Sequence, residues 1–212
     1  MKKIVIWGAS GHAMVIGDIL RLQAEFEIVG YLDDINSKRH GTLLQGLPII
    51  GGREQLPRLR DMGVSHCIIG VGQCEARLEL AEQVKLFGFE LAFAVHPSAV
   101  IASDVLIKPG IVVAAGAVIN PGCEIGENVI VNTSSSIDHE CILGDGSHVS
   151  PGAHLAGRVV IGRATWVGLG ANVSDHITIG NGTIVGAGSV VVRDLPDNVV
   201  AYGNPARVRK SR

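Results

Sequence analysis

The chain has 212 residues, enough for two small domains. Hydrophobic residues make up 47% of it but aromatics only 4%, and there are 28 glycines, so the core is expected to be built from Val, Ile, Ala and Gly. That suits parallel strands and tight turns rather than a helical bundle. A formal net charge of -2 and a pI near 6.4 leave no general basic surface, which argues against a nucleic-acid partner.

The opening Met1-Lys2-Lys3, followed by an apolar run, looks superficially like a signal peptide. The run stops at Gly8, and no cleavage site follows. No stretch reaches the roughly 18 apolar residues that a membrane span needs. The expectation is a soluble, cytoplasmic protein. Cys67, Cys74, Cys123 and Cys141 form no C-x-x-C pair, so zinc is not indicated, and reduced thiols are the default in that compartment.

Residues 1–95 alternate strand and helix signals. Lys3 to Trp7 reads as a strand, Gly8-Ala9-Ser10-Gly11-His12 as a turn, and His12 to Gln23 as a helix with Met14, Val15, Ile19 and Leu22 apolar. Glu27 to Leu32 reads as a second strand, ending in Asp33-Asp34. A short helix over Gln55 to Met62, a strand over His66 to Val71 and a helix over Glu75 to Phe87 follow. The pattern predicts an α/β Rossmann-like domain with a parallel sheet and right-handed crossovers.

Residues 96–212 obey a different rule. From Ile101, every sixth residue through Val191 is Ile, Leu or Val, sixteen positions without a slip. The next residue is often glycine, as at Gly126, Gly144, Gly162 and Gly180. An unbroken period of six excludes an α-helix and an ordinary two-sided strand as the organising element. It predicts a hexapeptide β-helix, with three hexads per triangular coil and the aliphatic side chains stacked inside. Cys123 and Cys141 stand one coil apart and are expected as small apolar fillers of one interior column.

The repeat, with the tail Tyr202-Gly203-Asn204-Pro205-Ala206-Arg207-Val208, resembles the left-handed β-helix acyltransferases. Gly8-Ala9-Ser10-Gly11-His12-Ala13, Tyr31-Leu32-Asp33-Asp34 and Asn132-Thr133-Ser134-Ser135-Ser136-Ile137-Asp138-His139-Glu140 narrow the resemblance. They are similar to segments of the sialic-acid O-acetyltransferase and bacillosamine-type N-acetyltransferase branch. It spans essentially the whole chain. It implies acetyl-CoA as co-substrate, no metal, a nucleotide-linked amino sugar as acceptor, and a homotrimer with active sites between subunits.

By the resemblance, Ser10, Gly11, His12, Asp33, Asp34 and Gly72 contact the nucleotide-linked sugar. A strand-to-helix turn is suited to a phosphate, since free backbone N–H groups and the helix dipole converge there. Without the resemblance, the Asp33-Asp34 pair reads as a cap or a solvated turn.

His139 is the implied general base, with Glu140 in support. A histidine suits the removal of a proton from an amine attacking a thioester. Either Glu140 or Asp138 is a candidate to orient it, provided that a turn or bulge brings the adjacent residues to one side. Asn132 is assigned to substrate positioning. His148, Gly157, Leu169 and Ala187 are assigned to acetyl-CoA. Gly157 lies one coil after His139 and leaves room beside it. Arg207, Arg209 and Lys210 are either partners for CoA phosphates or a basic solvated tail. His148 is nine residues from His139, half a coil, so the two should face one groove only across two chains.

Two other readings remain open at this level. A metal-dependent hexapeptide enzyme would draw on His139, His148, His154 and His176, although no pair has the expected spacing. A non-catalytic scaffold would be expected to lose the base. Among transferases, the nucleotide-type domain favours N-acetylation of a UDP-linked 4-amino-4,6-dideoxy sugar over O-acetylation of sialic acid.

Overall fold

The computed structural model describes residues 1–212. They fall into two compact units, Met1–Pro97 and Ser98–Arg212.

In the first unit, β1 (Lys2–Trp7), α1 (Gly11–Gln23) and β2 (Phe26–Leu32) form a parallel crossover. A hairpin of β3 (Leu43–Leu44) and β4 (Leu47–Gly51) follows, then α2 (Leu56–Asp61), β5 (His66–Ile69), α3 (Cys74–Leu86) and β6 (Glu90–Leu91). The sheet order is β3-β4-β2-β1-β5-β6, parallel except for the β3–β4 pair. Alternation along β1 sends Val5 and Trp7 to one face, where they pack with Leu56, Leu59 and Val84 of the flanking helices. Ile4 and Ile6 take the other face and are fully buried, each burial contributing on the order of 1.5–3 kcal/mol. β1 lies between β2 and β5, so the turn after it opens at the point where the strand order reverses.

The sequence pattern gave no hairpin over 43–51. Its turn is Gln45-Gly46, with φ of 49° and 78°, which matches the two left-handed residues of a tight hairpin loop. The helix expected over Gln55 to Met62 is shorter in α form, because a 3-10 turn over Arg53–Gln55 precedes it.

The second unit is a left-handed parallel β-helix. Two-residue strands repeat every six residues and pair in register with the strand eighteen residues on, as in Val113↔Val131, Ile119↔Ile137 and Ile125↔Leu143. The aliphatic column points inward, and every member from Val113 to Val191 is buried; Ile101 and Ile107, in the first coil, are half-buried. Cys123 and Cys141 lie inside as free thiols.

The corners follow a second rule with the same period. Every sixth residue from Gly110 to Gly188 has a left-handed φ, between 53° and 81°. Most of these positions are glycine, which adopts that conformation without steric cost. Single exceptions stand at Asn128, Ser134 and Ala164, but along one edge glycine gives way after Gly122 to three in a row: Glu140, Arg158 and His176, with φ of 57°, 61° and 58°.

Candidate active site

The first unit carries a cleft of about 510 Å³ at the carboxyl ends of β1, β2 and β5. Gly8 is there because no other residue fits: its φ is +131°, and a Cβ would lie 2.6 Å from the Gly70 carbonyl oxygen. Ser10 is the N-cap of α1, but its hydroxyl makes no capping bond, and no acidic residue occupies the first turn. The helix N-terminus therefore offers N–H groups and a free hydroxyl to an anion. Gly11 and Gly72 have nothing within 4 Å of a built Cβ, so both border open space.

His12 stands behind this turn. Burial, and then the nearby Arg77 guanidinium, push its pKa down to about 4, so the ring is neutral at pH 7. Its Nε2 has no hydrogen-bond partner. Arg77 is fully buried and donates to the carbonyls of Val71 at 3.1 Å and Gly72 at 2.8 Å, fixing the turn that forms the opposite wall.

Asp33 and Asp34 line the cleft, and their carboxylates already have internal partners. Asp33 Oδ1 accepts from the N–H groups of Ile35 and Asn36, both at 3.0 Å. Asp34 accepts from Trp7 Nε1 at 3.1 Å and from the Arg53 N–H at 2.6 Å. The pair holds the loop after β2 in shape, with Asp33 buried rather than solvated.

In the β-helix, His139 sits at a corner, just after the strand Ser136–Ile137. The left-handed φ of Glu140 turns two adjacent side chains to the same side, and Glu140 Oε2 accepts from His139 Nδ1 at 3.0 Å. Asp138 does something else: its Oδ1 accepts from the His139 backbone N–H at 2.8 Å and from Asn120 Nδ2 at 3.0 Å. Of the two candidate orienters, Glu140 is the one that meets the ring. Its carboxyl is held below the usual range by the His139 hydrogen bond first and the Arg158 bond second. With Nδ1–H committed to a carboxylate, Nε2 carries the lone pair. The ring lies over Gly157, where a Cβ would be 2.6 Å from both Cε1 and Nε2.

His148 belongs to a different sheet from the strand that leads to His139. It stacks on Trp166 with ring centroids 5.3 Å apart and planes 15° apart. Trp166 is itself fixed by Nε1 donating to Ser150 Oγ at 2.7 Å. Asn132 Nδ2 donates to His148 Nε2 at 3.1 Å. The structure thus brings Asn132 to His148, and not to the His139 with which it shares a sequence motif. Trp166 was not singled out from sequence, although it stands one coil after His148.

Residues 3–84 match the family model described as the PglD N-terminal domain. PerB from Caulobacter crescentus, solved with CoA and GDP-perosamine, is 39% identical over 99% of this chain and 98% of its own, with a TM-score of 0.94. The acetyltransferase domain of PglB from Neisseria gonorrhoeae, solved with acetyl coenzyme A, is 35% identical over 98% of this chain and 99% of its own, with a TM-score of 0.92. WeeI from Acinetobacter baumannii is 25% identical over 99% of this chain and 100% of its own, with a TM-score of 0.84.

The chain belongs to the hexapeptide-repeat sugar N-acetyltransferases.

In this sugar N-acetyltransferase, no group of three or more His, Cys, Asp or Glu side chains is arranged to hold a metal ion. The histidines of a metal reading are engaged elsewhere: His154 Nδ1 with Ser136 Oγ at 2.8 Å, and His176 Nδ1 with Asp175 at 2.9 Å. No helix is long and apolar enough to cross a membrane. Leu169 and Ala187 stack at one corner, eighteen residues apart, and the Leu169 carbonyl already accepts from the Gly188 N–H at 2.8 Å. In the tail, Arg209 lies over the Tyr202 ring, 5.1 Å from its centroid, and Arg207 bonds the Ala206 carbonyl at 2.8 Å.

Proposed function

We propose that this protein transfers the acetyl group of acetyl-CoA to the 4-amino group of a nucleotide-linked 4-amino-4,6-dideoxy sugar, in the synthesis of a bacterial glycan precursor. The observation that carries the reading is the His139 imidazole, with Nδ1 held by Glu140 at 3.0 Å and its other nitrogen over Gly157. PerB, solved with CoA and GDP-perosamine, supplies the matching substrate classes.

The mechanism follows from that geometry. The sugar amine attacks the thioester carbonyl carbon, and a C–N bond forms. His139 Nε2 takes the proton that the nitrogen loses, and Glu140 stabilises the imidazolium. The tetrahedral intermediate collapses, the C–S bond breaks, and CoA leaves as a thiolate that is protonated in turn. Ser10, Gly11 and His12 hold the diphosphate, with Asp33, Asp34 and Gly72 around the nucleoside. His12, neutral and buried behind this turn, adds no charge there.

We also infer a cytoplasmic homotrimer. Each chain carries the base at one edge and the Asn132–His148–Trp166 cluster on another sheet. A neighbouring β-helix would set the second group beside the first, with His148, Gly157 and the backbone of Leu169 and Ala187 along the acetyl-CoA arm. A distance between His139 of one protomer and His148 of the next above roughly 12 Å would refute this, because a substrate-sized group could not bridge it.

The test is release of CoA thiol from acetyl-CoA with a panel of GDP-, UDP- and dTDP-linked 4-amino-6-deoxy sugars. Turnover with one sugar supports the reading and names the acceptor. Release with sialic acid alone moves the protein to O-acetylation, and silence with both leaves the scaffold.

A further inference from the structure

The edge that carries His139 is unlike the other two edges of the prism. At those edges the left-handed corner position is mostly glycine, and its exceptions, Asn128 and Ala164 on one and Ser134 on the other, never fall in successive coils. At this one, three successive coils place Glu140, Arg158 and His176 there, eighteen residues apart. A non-glycine residue in that conformation costs of order 1 kcal/mol or more, and such costs gather where function compensates them. The three side chains form a ladder. Arg158 Nε donates to Glu140 Oε2 at 2.9 Å, the same oxygen that accepts from His139 Nδ1 at 3.0 Å. Arg158 Nη1 meets His176 Nε2 at 3.3 Å, and His176 Nδ1 donates to Asp175 Oδ2 at 2.9 Å.

We propose that Arg158 is a positioning residue for acetyl transfer: it pins the Glu140 carboxylate in the one orientation that holds the His139 ring, and His176, locked by Asp175, backs the guanidinium.

Three points support it. First, Glu140 is about half exposed, so its carboxylate would otherwise sample several rotamers in water. A guanidinium bond on the shared oxygen removes that freedom. Second, the tautomer is set from the far end. Asp175 takes His176 Nδ1–H, which leaves Nε2 as the acceptor for Arg158. Third, the remaining charged neighbour, Asp138, is committed to the His139 backbone N–H and to Asn120, so it does not compete for the ring. The carboxyl of Glu140 is held below its usual range by the His139 hydrogen bond first and the Arg158 bond second, in line with the shared-oxygen contact.

The inference rests on the acetyl-transfer reading and is tested separately from it. Arg158→Ala and Arg158→Lys are compared with wild type in three measurements: kcat and KM across pH, thermal midpoint, and carboxyl-carbon NMR titration of Glu140. With Arg158→Ala, kcat is expected to fall roughly tenfold or more, as when an outer partner of a functional histidine is lost. Both KM values should stay within about twofold of wild type, the thermal midpoint should hold, and the Glu140 titration should move to higher pH. Arg158→Lys, which keeps the charge but not the fork, should fall between the two. An unmoved Glu140 titration overturns the proposal, whether kcat is unchanged or falls with the thermal midpoint. So does a moved titration with kcat at the wild-type level. If wild type is silent with every acceptor while the Glu140 titration still moves, it is the acetyl-transfer reading that fails, and the ladder stands as an electrostatic contact.

Discussion

Gly157→Ala puts a methyl group into the space that the His139 imidazole occupies. The three nearest atoms to the new Cβ are all in that ring: Cε1 and Nε2 at 2.6 Å and Nδ1 at 3.2 Å. Ordinary contact begins near 3.4 Å, so the ring must retreat by roughly 1 Å. Gly157 is not among the residues with positive φ, and the nearest obstacle is the end of a rotatable side chain. The fold should therefore accept alanine, with a stability change within about 1 kcal/mol. The retreat moves Nε2 away from the acceptor amine and strains the Glu140 bond. A displacement of that size costs on the order of 100-fold in kcat. At about 1.4 kcal/mol per tenfold, that is close to 3 kcal/mol of lost transition-state stabilisation. The assay is thiol release at saturating acetyl-CoA and sugar, with thermal unfolding measured alongside. A folded variant with kcat within threefold of wild type would show that the ring does not need the glycine. A variant that fails to fold would equally refute the argument, since it would mean that the clash reaches beyond the ring.

Other substitutions separate base, phosphate site and fold. His139→Ala should lower kcat by at least ~100-fold with the thermal midpoint held, and retention of more than a tenth of the rate would remove it as the base. Gly8→Ala should destabilise the first unit by roughly 2–4 kcal/mol, read as a fall in thermal midpoint, because its Cβ meets the Gly70 carbonyl at 2.6 Å with φ at +131°. Gly11→Ala meets nothing within 4 Å, so it should leave the thermal midpoint alone and raise KM for the nucleotide sugar; an unchanged KM would place the diphosphate elsewhere. His12 makes stability depend on pH. Its folded pKa of about 4 lies below the usual 6.5, so the unfolded chain binds the proton first. The contribution is complete above about pH 6.5 and falls away toward pH 4, by at most roughly 3 kcal/mol. In denaturant titrations, His12→Asn should flatten that slope, and an unaltered slope would contradict the burial argument.

The fold was legible because its signal is one-dimensional. A residue that must point inward every six positions leaves its mark on any six-step reading, and Val113 to Val191 obey it. The turn after β1 was legible for a similar reason: a short apolar run, two glycines and a helical pattern stand next to each other in sequence. The β3–β4 hairpin was missed because Gln45 adopts the conformation in which Asn, Asp or Gly is the usual cue. Asp33 and Asp34 line the cleft, and their internal hydrogen bonds depend on Arg53, Trp7 and the Ile35–Asn36 backbone, which an acid pair in sequence does not announce.

What eluded the sequence at the His139 edge has a different cause. The motif singles out His139 but does not choose its partner between Asp138 and Glu140, since neighbours on a strand face opposite ways. The corner decides it: a left-handed φ at Glu140 breaks the alternation and folds both side chains to one side. That conformation belongs to a position defined by period six, and the contacts it creates by period eighteen. Reading the repeat for its apolar column alone passes over both. Counting instead from Gly110 in steps of six shows where glycine is replaced, and stepping by eighteen from Glu140 meets Arg158 and then His176. The same step from His148 meets Trp166, which stacks on it. In a β-helix the neighbour in space is the residue one coil away, so side chains that support a site are to be sought at that interval, and an unbroken run of costly exceptions to glycine along one edge, as at Glu140, Arg158 and His176, is a cue to look there first.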